Sequence, residues 1–154
     1  MNYFDERPGW NEYFMEISRL VATRSTCLRR QVGALLVIEN RILATGYNGS
    51  PAGFKHCQEV GCIRDELSID SGMALHLCRG AHSEQNLITQ CARFGTPAVG
   101  GVIYITTSPC SLCMKLLVNV GVTKIVYEEL YDDELSMEIA REAGIKTEQF
   151  KKPK

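Results

Sequence analysis

The chain has 154 residues with 17 basic and 18 acidic side chains, a formal net charge of −1, 45% apolar and 23% charged residues. That length favours one domain over residues 1–154 with a core large enough to need no staples, and the balanced charge argues against a polynucleotide partner, whose binding surfaces are basic. Seven cysteines, an odd number, argue against a complete disulfide framework and for metal ligation.

The polar, acidic start "MNYFDERPGWNEYF" does not read as a secretory leader, and no apolar run reaches the length of a membrane span. A cytoplasmic location is expected. Residues 10–25 are predicted as a helix, with Tyr13, Phe14, Ile17, Leu20 and Val21 on one face. "VGALLVIE" (32–39) and "ILATGY" (42–47) are predicted strands of a hairpin turning at Asn40 and Arg41. Residues 48–80, rich in Gly, Ser, Pro and Cys, read as a long irregular excursion, and a loop of that length is usually functional or pinned. A helix is expected over 82–94 with Leu87, Ile88 and Cys91 inward, stopped by Gly95, Thr96 and Pro97. "GVIYIT" (101–106) is a strand, and Pro109 opens a helix running to about Val120. "KIVYE" (124–128), "DDELSMEIAREAG" (132–144) and "IKTEQF" (145–150) read as strand, amphipathic helix and strand. The order α-ββ-α-β-α-β-α-β predicts an α/β fold, a mixed sheet of five strands covered on both faces.

Two short patterns carry chemistry. "SPCSLC" sets Cys110 and Cys113 one turn apart at a helix start, where free N–H groups and the helix dipole favour thiolates. "AHSEQN" sets His82 at another helix start with Glu84 two residues on. Two thiolates and one neutral imidazole around Zn²⁺ make a neutral three-ligand set with the fourth position open to water, the catalytic rather than the closed structural arrangement. Glu84 can reach that water without ligating the metal. Alone, each part has a plainer reading: a redox or structural cysteine pair, a satisfied histidine, a helix-capping glutamate. Together they point to a hydrolytic metal site. "TGYNGSPAG" (45–53) adds Asn48, whose amide offers donor and acceptor to a sugar or base edge, between glycines that admit close backbone approach; by itself it is equally a turn.

The pattern H-x-E…P-C-x-x-C is similar to that of zinc nucleobase deaminases. With "HSEQNLI", "SPCSLC" and "TGYNGSPAG", the chain resembles the cytidine and deoxycytidylate deaminase superfamily over residues 10 to 150, and within it the deoxycytidylate deaminases. Family members usually carry Ala where Ser83 stands; its side chain is expected to point away from the metal, and it can add a hydrogen bond near the site. The resemblance implies a three-layer α/β/α cytidine-deaminase-like fold and zinc-dependent hydrolysis of dCMP to dUMP and ammonia. His82, Cys110 and Cys113 are then the zinc ligands and Glu84 the proton shuttle. It also implies that Asn48 meets the nucleotide sugar and that Ser108 and Tyr131 lie near the nucleotide, Tyr131 near its phosphate. Arg29, Arg30 and Lys55 could add charge for that phosphate.

Some members hold a second, structural zinc with cysteines matching Cys27 and Cys57. Their other ligands have no match here, so Cys62 and Cys78 are taken in their stead, with His56 or His76 as substitutes; four reduced thiols is the competing reading. Hexamers, activation by dCTP, inhibition by dTTP and Mg²⁺ accompanying the triphosphate are further implications of the resemblance. Two other functions compete: a superfamily deaminase acting on cytidine, guanine or a tRNA adenosine, and a non-catalytic zinc-stabilised binding module with no use for Glu84.

Overall fold

In the computed structural model, residues 6–152 are described; residues 1–5, part of the start weighed above against a leader, and residues 153–154 lie outside it. Strands β1 (Gly33–Ile38), β2 (Arg41–Tyr47), β3 (Val102–Thr107), β4 (Lys124–Glu129) and β5 (Lys146–Gln149) form one sheet in the order β2-β1-β3-β4-β5. The β1–β2 and β1–β3 pairs are antiparallel, and β3–β4 and β4–β5 are parallel. The hairpin turns one residue earlier than predicted, at Glu39 and Asn40. Both have positive φ, 50° and 58°, the pairing whose twist matches a two-residue hairpin.

Unbroken apolar runs in the central strands mean that both sheet faces are covered. Ala34, Leu36, Ile103, Ile105 and Ile125 enter one core, while Leu35, Val37, Tyr104 and Val126 enter the other. Each fully buried aliphatic side chain contributes about 1.5–3 kcal/mol. The second core is closed by α1 (Trp10–Ala22) through Phe14 and Met15. Of the predicted stripe, Phe14 is buried and Ile17 and Val21 pack against this core, but Tyr13 and Leu20 are exposed and Met15, Ser18 and Ala22 are buried in their stead. The helix is rotated because Ser18 and Ala22 lie against Gly33, where any Cβ would strike the Ser18 carbonyl oxygen. Ser18 Oγ also donates across to the Tyr104 carbonyl (3.1 Å). Beyond Ala22 the N–H groups of Thr23, Arg24 and Ser25 bond three residues back, which ends the helix short of the predicted residue 25.

The other face carries α4 (Ser83–Phe94), α5 (Ser111–Asn119) and α6 (Glu134–Glu142). Their apolar sides supply Leu87, Cys91, Met114, Leu117 and Ala140 to the first core, which completes the expected three α/β/α layers. Pro109 stands one residue before the cap of α5 and is not its first residue: Cys110 is the N-cap. The 48–80 excursion is more regular than expected. It holds α2 (Cys57–Val60), α3 (Ile63–Glu66) and a 3₁₀ turn at Leu75–Leu77. Its neck is closed by two bonds, Gly49 N–H to the Ala81 carbonyl (3.1 Å) and Ala81 N–H to the Gly49 carbonyl (2.9 Å). Among the described residues no helix is long and apolar enough to cross a membrane.

Candidate active site

The excursion's neck delivers the chain directly to His82, the N-cap of α4. The Gln85 side chain accepts from the His82 N–H (2.8 Å) and fixes the entry to the helix. Gly46 of β2 lets this end of α4 lie on the sheet: a Cβ there would run into the Ser83 carbonyl oxygen and stand 2.7 Å from Leu87 N. Facing it, the "SPCSLC" segment leaves β3 and is held by the segment after β4. The Ser108 N–H donates to the Glu129 carbonyl (2.8 Å), and Ser108 Oγ accepts from the Tyr131 N–H (2.7 Å). Asp133 accepts from the Ser111 N–H (2.7 Å) and the Ser136 N–H (3.1 Å), capping α5 and α6 with one carboxylate. Ser136 Oγ donates to the Pro109 carbonyl (2.6 Å).

These two helix starts bring His82, Cys110 and Cys113 together, with donor atoms all within 4.8 Å of one another. His82 Nδ1 is 3.5 Å from Cys110 Sγ and 3.3 Å from Cys113 Sγ. The Cys113 thiol, beside it, and His82 hold the Cys110 thiol down at about 4. The Cys110 sulfur in turn pushes the Cys113 thiol far above its usual value, with burial adding to the rise. Two sulfurs that resist carrying charge together are a donor set that a divalent cation satisfies, and the N and S ligand types suit zinc.

Glu84 is 5% exposed, beside this triad and outside it. Burial raises its carboxyl above the ordinary range; its own backbone N–H, His82 and the Ser83 hydroxyl oppose the rise. Ser83, fully buried, donates from Oγ to Glu84 Oε2 at 2.9 Å. The added hydrogen bond thus falls on the carboxylate itself.

The triad's His82 and Cys110, with Glu84, line an open-mouthed cleft. Asn48, Ser108 and Tyr131 line it too. The Asn48 amide is engaged on both sides, accepting from the Val32 N–H and donating to the Arg30 carbonyl, each at 2.8 Å, so it pins residues 30–32 to the end of β2. The Arg30 guanidinium sits 5.3 Å from the Tyr131 ring centre. Of the predicted phosphate cations, Arg29 and Arg30 line the cleft and Lys55 does not. Arg29 is already bonded to Asp65 Oδ1 and the Ile69 carbonyl, each at 2.6 Å.

Cys27, Cys57 and Cys78 also line the cleft. Burial raises the Cys57 thiol, and Cys78, Cys27 and Cys62 are near enough to add to the rise. Among the described residues, however, only His82, Cys110 and Cys113 converge to 4.8 Å. His56 Nδ1 is 3.1 Å from Thr26 Oγ1. Cys91 is buried in the first core, as its helix position predicted.

Three residues escaped the sequence reading. Arg64 and Ser50 line the cleft. "GCIRDE" looks like a solvated charge run, and Ser50 like turn filler, so neither carried a signal. Asp133 did carry one, an Asp before an acidic helix start, but its bond to Ser111 joins residues 22 apart in sequence.

Residues 8–129 match the family described as the cytidine and deoxycytidylate deaminase zinc-binding region. The ComE operon protein 2 of Bacillus subtilis (strain 168) is 43% identical over 145 residues, covering 94% of this chain and 72% of that protein. The deoxycytidylate deaminase of Schizosaccharomyces pombe is 37% identical over 150 residues, 96% of this chain but 46% of that enzyme, so the chain spans less than half of the yeast relative. The structure of the dCMP deaminase from the cyanophage S-TIM5 in complex with dCMP and dUMP is similar at a TM-score of 0.79 and 29% identity, covering 94% of this chain and 99% of that one. The chain belongs to the cytidine and deoxycytidylate deaminase zinc-binding family.

Proposed function

We propose that this protein hydrolyses dCMP to dUMP and ammonia with a zinc ion held by His82, Cys110 and Cys113. The observation that carries the reading is a buried carboxylate, Glu84, beside those three ligands in an open-mouthed cleft. Bound there, zinc would lower the pKa of a water towards neutrality and stabilise the negative charge that develops when the ring is attacked. Glu84 takes the proton from the attacking water, hands it to the ring nitrogen next to the reacting carbon, and assists the departing amine. Its raised pKa suits a group that must carry a proton between steps. The Ser83 hydroxyl holds Glu84 Oε2 in place. Asn48, Ser108 and Tyr131 orient the sugar and the phosphate end of the substrate. The relatives named deoxycytidylate deaminase, and the relative solved with dCMP and dUMP, support this substrate over cytidine, guanine or a tRNA adenosine.

Ammonia release from dCMP, dCTP, CMP and deoxycytidine, each with and without dCTP and Mg²⁺ or dTTP, tests the reading. Preferred turnover of dCMP is expected; equal or absent turnover on all four sinks it. Activation by dCTP with Mg²⁺ and inhibition by dTTP belong to the same proposal, as do a cytoplasmic location and a homo-oligomer, a hexamer by resemblance, which light scattering sizes directly. A second zinc at Cys27, Cys57, Cys62 and Cys78 would require those sulfurs to draw together. Two zincs per chain by metal analysis supports it, and one removes it.

A further inference from the structure

Arg64 is 7% exposed on α3, within the excursion, and lines the cleft that holds Glu84. Among the described residues it has no carboxylate partner. Asp65 beside it is bonded to Arg29, and Asp70 offers Arg64 only its backbone carbonyl, 3.1 Å from Nη2. Arg64 Nε is buried without any hydrogen-bond partner. The one other buried side-chain atom so placed among the described residues is Ser50 Oγ, and Ser50 lines the same cleft.

A buried, unpaired cation and an unfilled hydroxyl are both costly, and folded proteins keep such groups where a ligand completes them. What is missing is acceptor oxygen carrying negative charge. Apart from Glu84, next to the metal ligands, the cleft supplies none: its other charged side chains are Arg29, Arg30 and Arg64. A planar guanidinium and a hydroxyl lining one cleft match a phosphate group, which has several oxygens to share between them. The excursion also reaches Tyr131, another residue of the cleft lining. Gly72 packs so closely on the Tyr131 hydroxyl that a Cβ there would stand 2.6 Å from it. Arg64 is therefore carried on a segment braced against the residue that the family resemblance sets near the phosphate.

We propose that Arg64, with Ser50, binds the phosphate of the nucleotide and so selects nucleotide over nucleoside. This rests on reading the cleft as a deoxynucleotide site and assigns its specificity to the excursion.

The test is equilibrium binding of dUMP and of deoxyuridine to the zinc-loaded full chain by NMR titration, so that turnover plays no part. Arg64→Gln is expected to weaken dUMP about 100-fold and deoxyuridine by no more than about threefold. Ser50→Ala is expected to weaken dUMP about tenfold, again sparing deoxyuridine. Unchanged dUMP binding, or parallel losses for both ligands, overturns the assignment of the residue concerned. If Arg64→Gln does not fold, Arg64→Lys carries the test: about a tenfold loss confined to dUMP supports the role, and a shared or absent loss overturns it. Arg64-dependent dUMP binding in a protein that releases no ammonia from dCMP would sink the deaminase reading and leave this inference standing. Turnover of dCMP with dUMP binding indifferent to Arg64 would do the reverse.

Discussion

Glu84 and Ser83 form a buried pair whose two members have separable jobs. The carboxylate moves protons, and the hydroxyl, 2.9 Å away, fixes where the carboxylate stands. Glu84→Gln keeps the size of the side chain and leaves His82, Cys110 and Cys113 untouched, so zinc content should stay at the wild-type level. Turnover should fall by about 10³-fold or more, the scale of a lost acid–base group. Full activity in a zinc-replete Glu84→Gln protein ends the assignment. Ser83→Ala removes one hydrogen bond to a charged group and should lower kcat by about tenfold with KM unchanged. A rise in KM at constant kcat would instead put Ser83 in substrate binding. Steady-state kinetics on zinc-quantified protein separates the two outcomes.

At the level of elements, the site is a meeting of helix ends. Three devices hold it: Gly46 seats α4, the Gly49–Ala81 bonds deliver the chain to His82, and Asp133 caps α5 and α6 together. The last is the most exposed to test. Burial pushes the Asp133 carboxyl up, but the N–H groups of Ser111 and Ser136 outweigh it and hold the carboxyl below its usual 3.8. A carboxylate with a lowered folded pKa contributes stability that is fully present above its unfolded pKa and is lost as pH falls through the folded value. Asp133→Ala should therefore cost about 1–2 kcal/mol at neutral pH, the scale of a lost N-cap. The gap from wild type should close as pH drops below 3.8. Urea melts across pH measure it; a gap independent of pH would mean that the loss is packing and not the cap. Because Ser111 follows Cys110, the variant should also bind zinc more weakly, which a chelator competition reads.

On the scale of the whole molecule, what was legible from sequence is what is local. His82 with Glu84, and Cys110 with Cys113, are near neighbours on single helix starts, and residue spacing alone sets their geometry. The alternation of α and β, and the apolar runs of the central strands, are local patterns too. The helical face of α1 differs from the expected one only at Tyr13 and Leu20, because Ser18 and Ala22 are small, and smallness matters only once Gly33 lies beneath them. Arg64, Ser50 and the double cap at Asp133 depend on contacts between distant segments. The excursion is the extreme case, with Cys57 and Arg64 its buried side chains of note. It leans on polar ties, Arg29 to Asp65 and Ile69, Arg79 to the Lys55 carbonyl, and the two bonds at its neck. A region so poor in apolar burial opens at low free energy unless its ends are anchored, and the anchor next to its neck is His82. Removing zinc should then loosen more than the ligands. Chelation should lower Tm by about 10 °C, since about 2–4 °C accompanies each kcal/mol in a domain of this size. Hydrogen exchange should quicken at the starts of α4 and α5 and along residues 50–80, while the β1–β3 ladder stays protected. Equal protection of residues 50–80 with and without the metal would mean that the excursion holds itself up, and that its coupling to the metal site is only proximity.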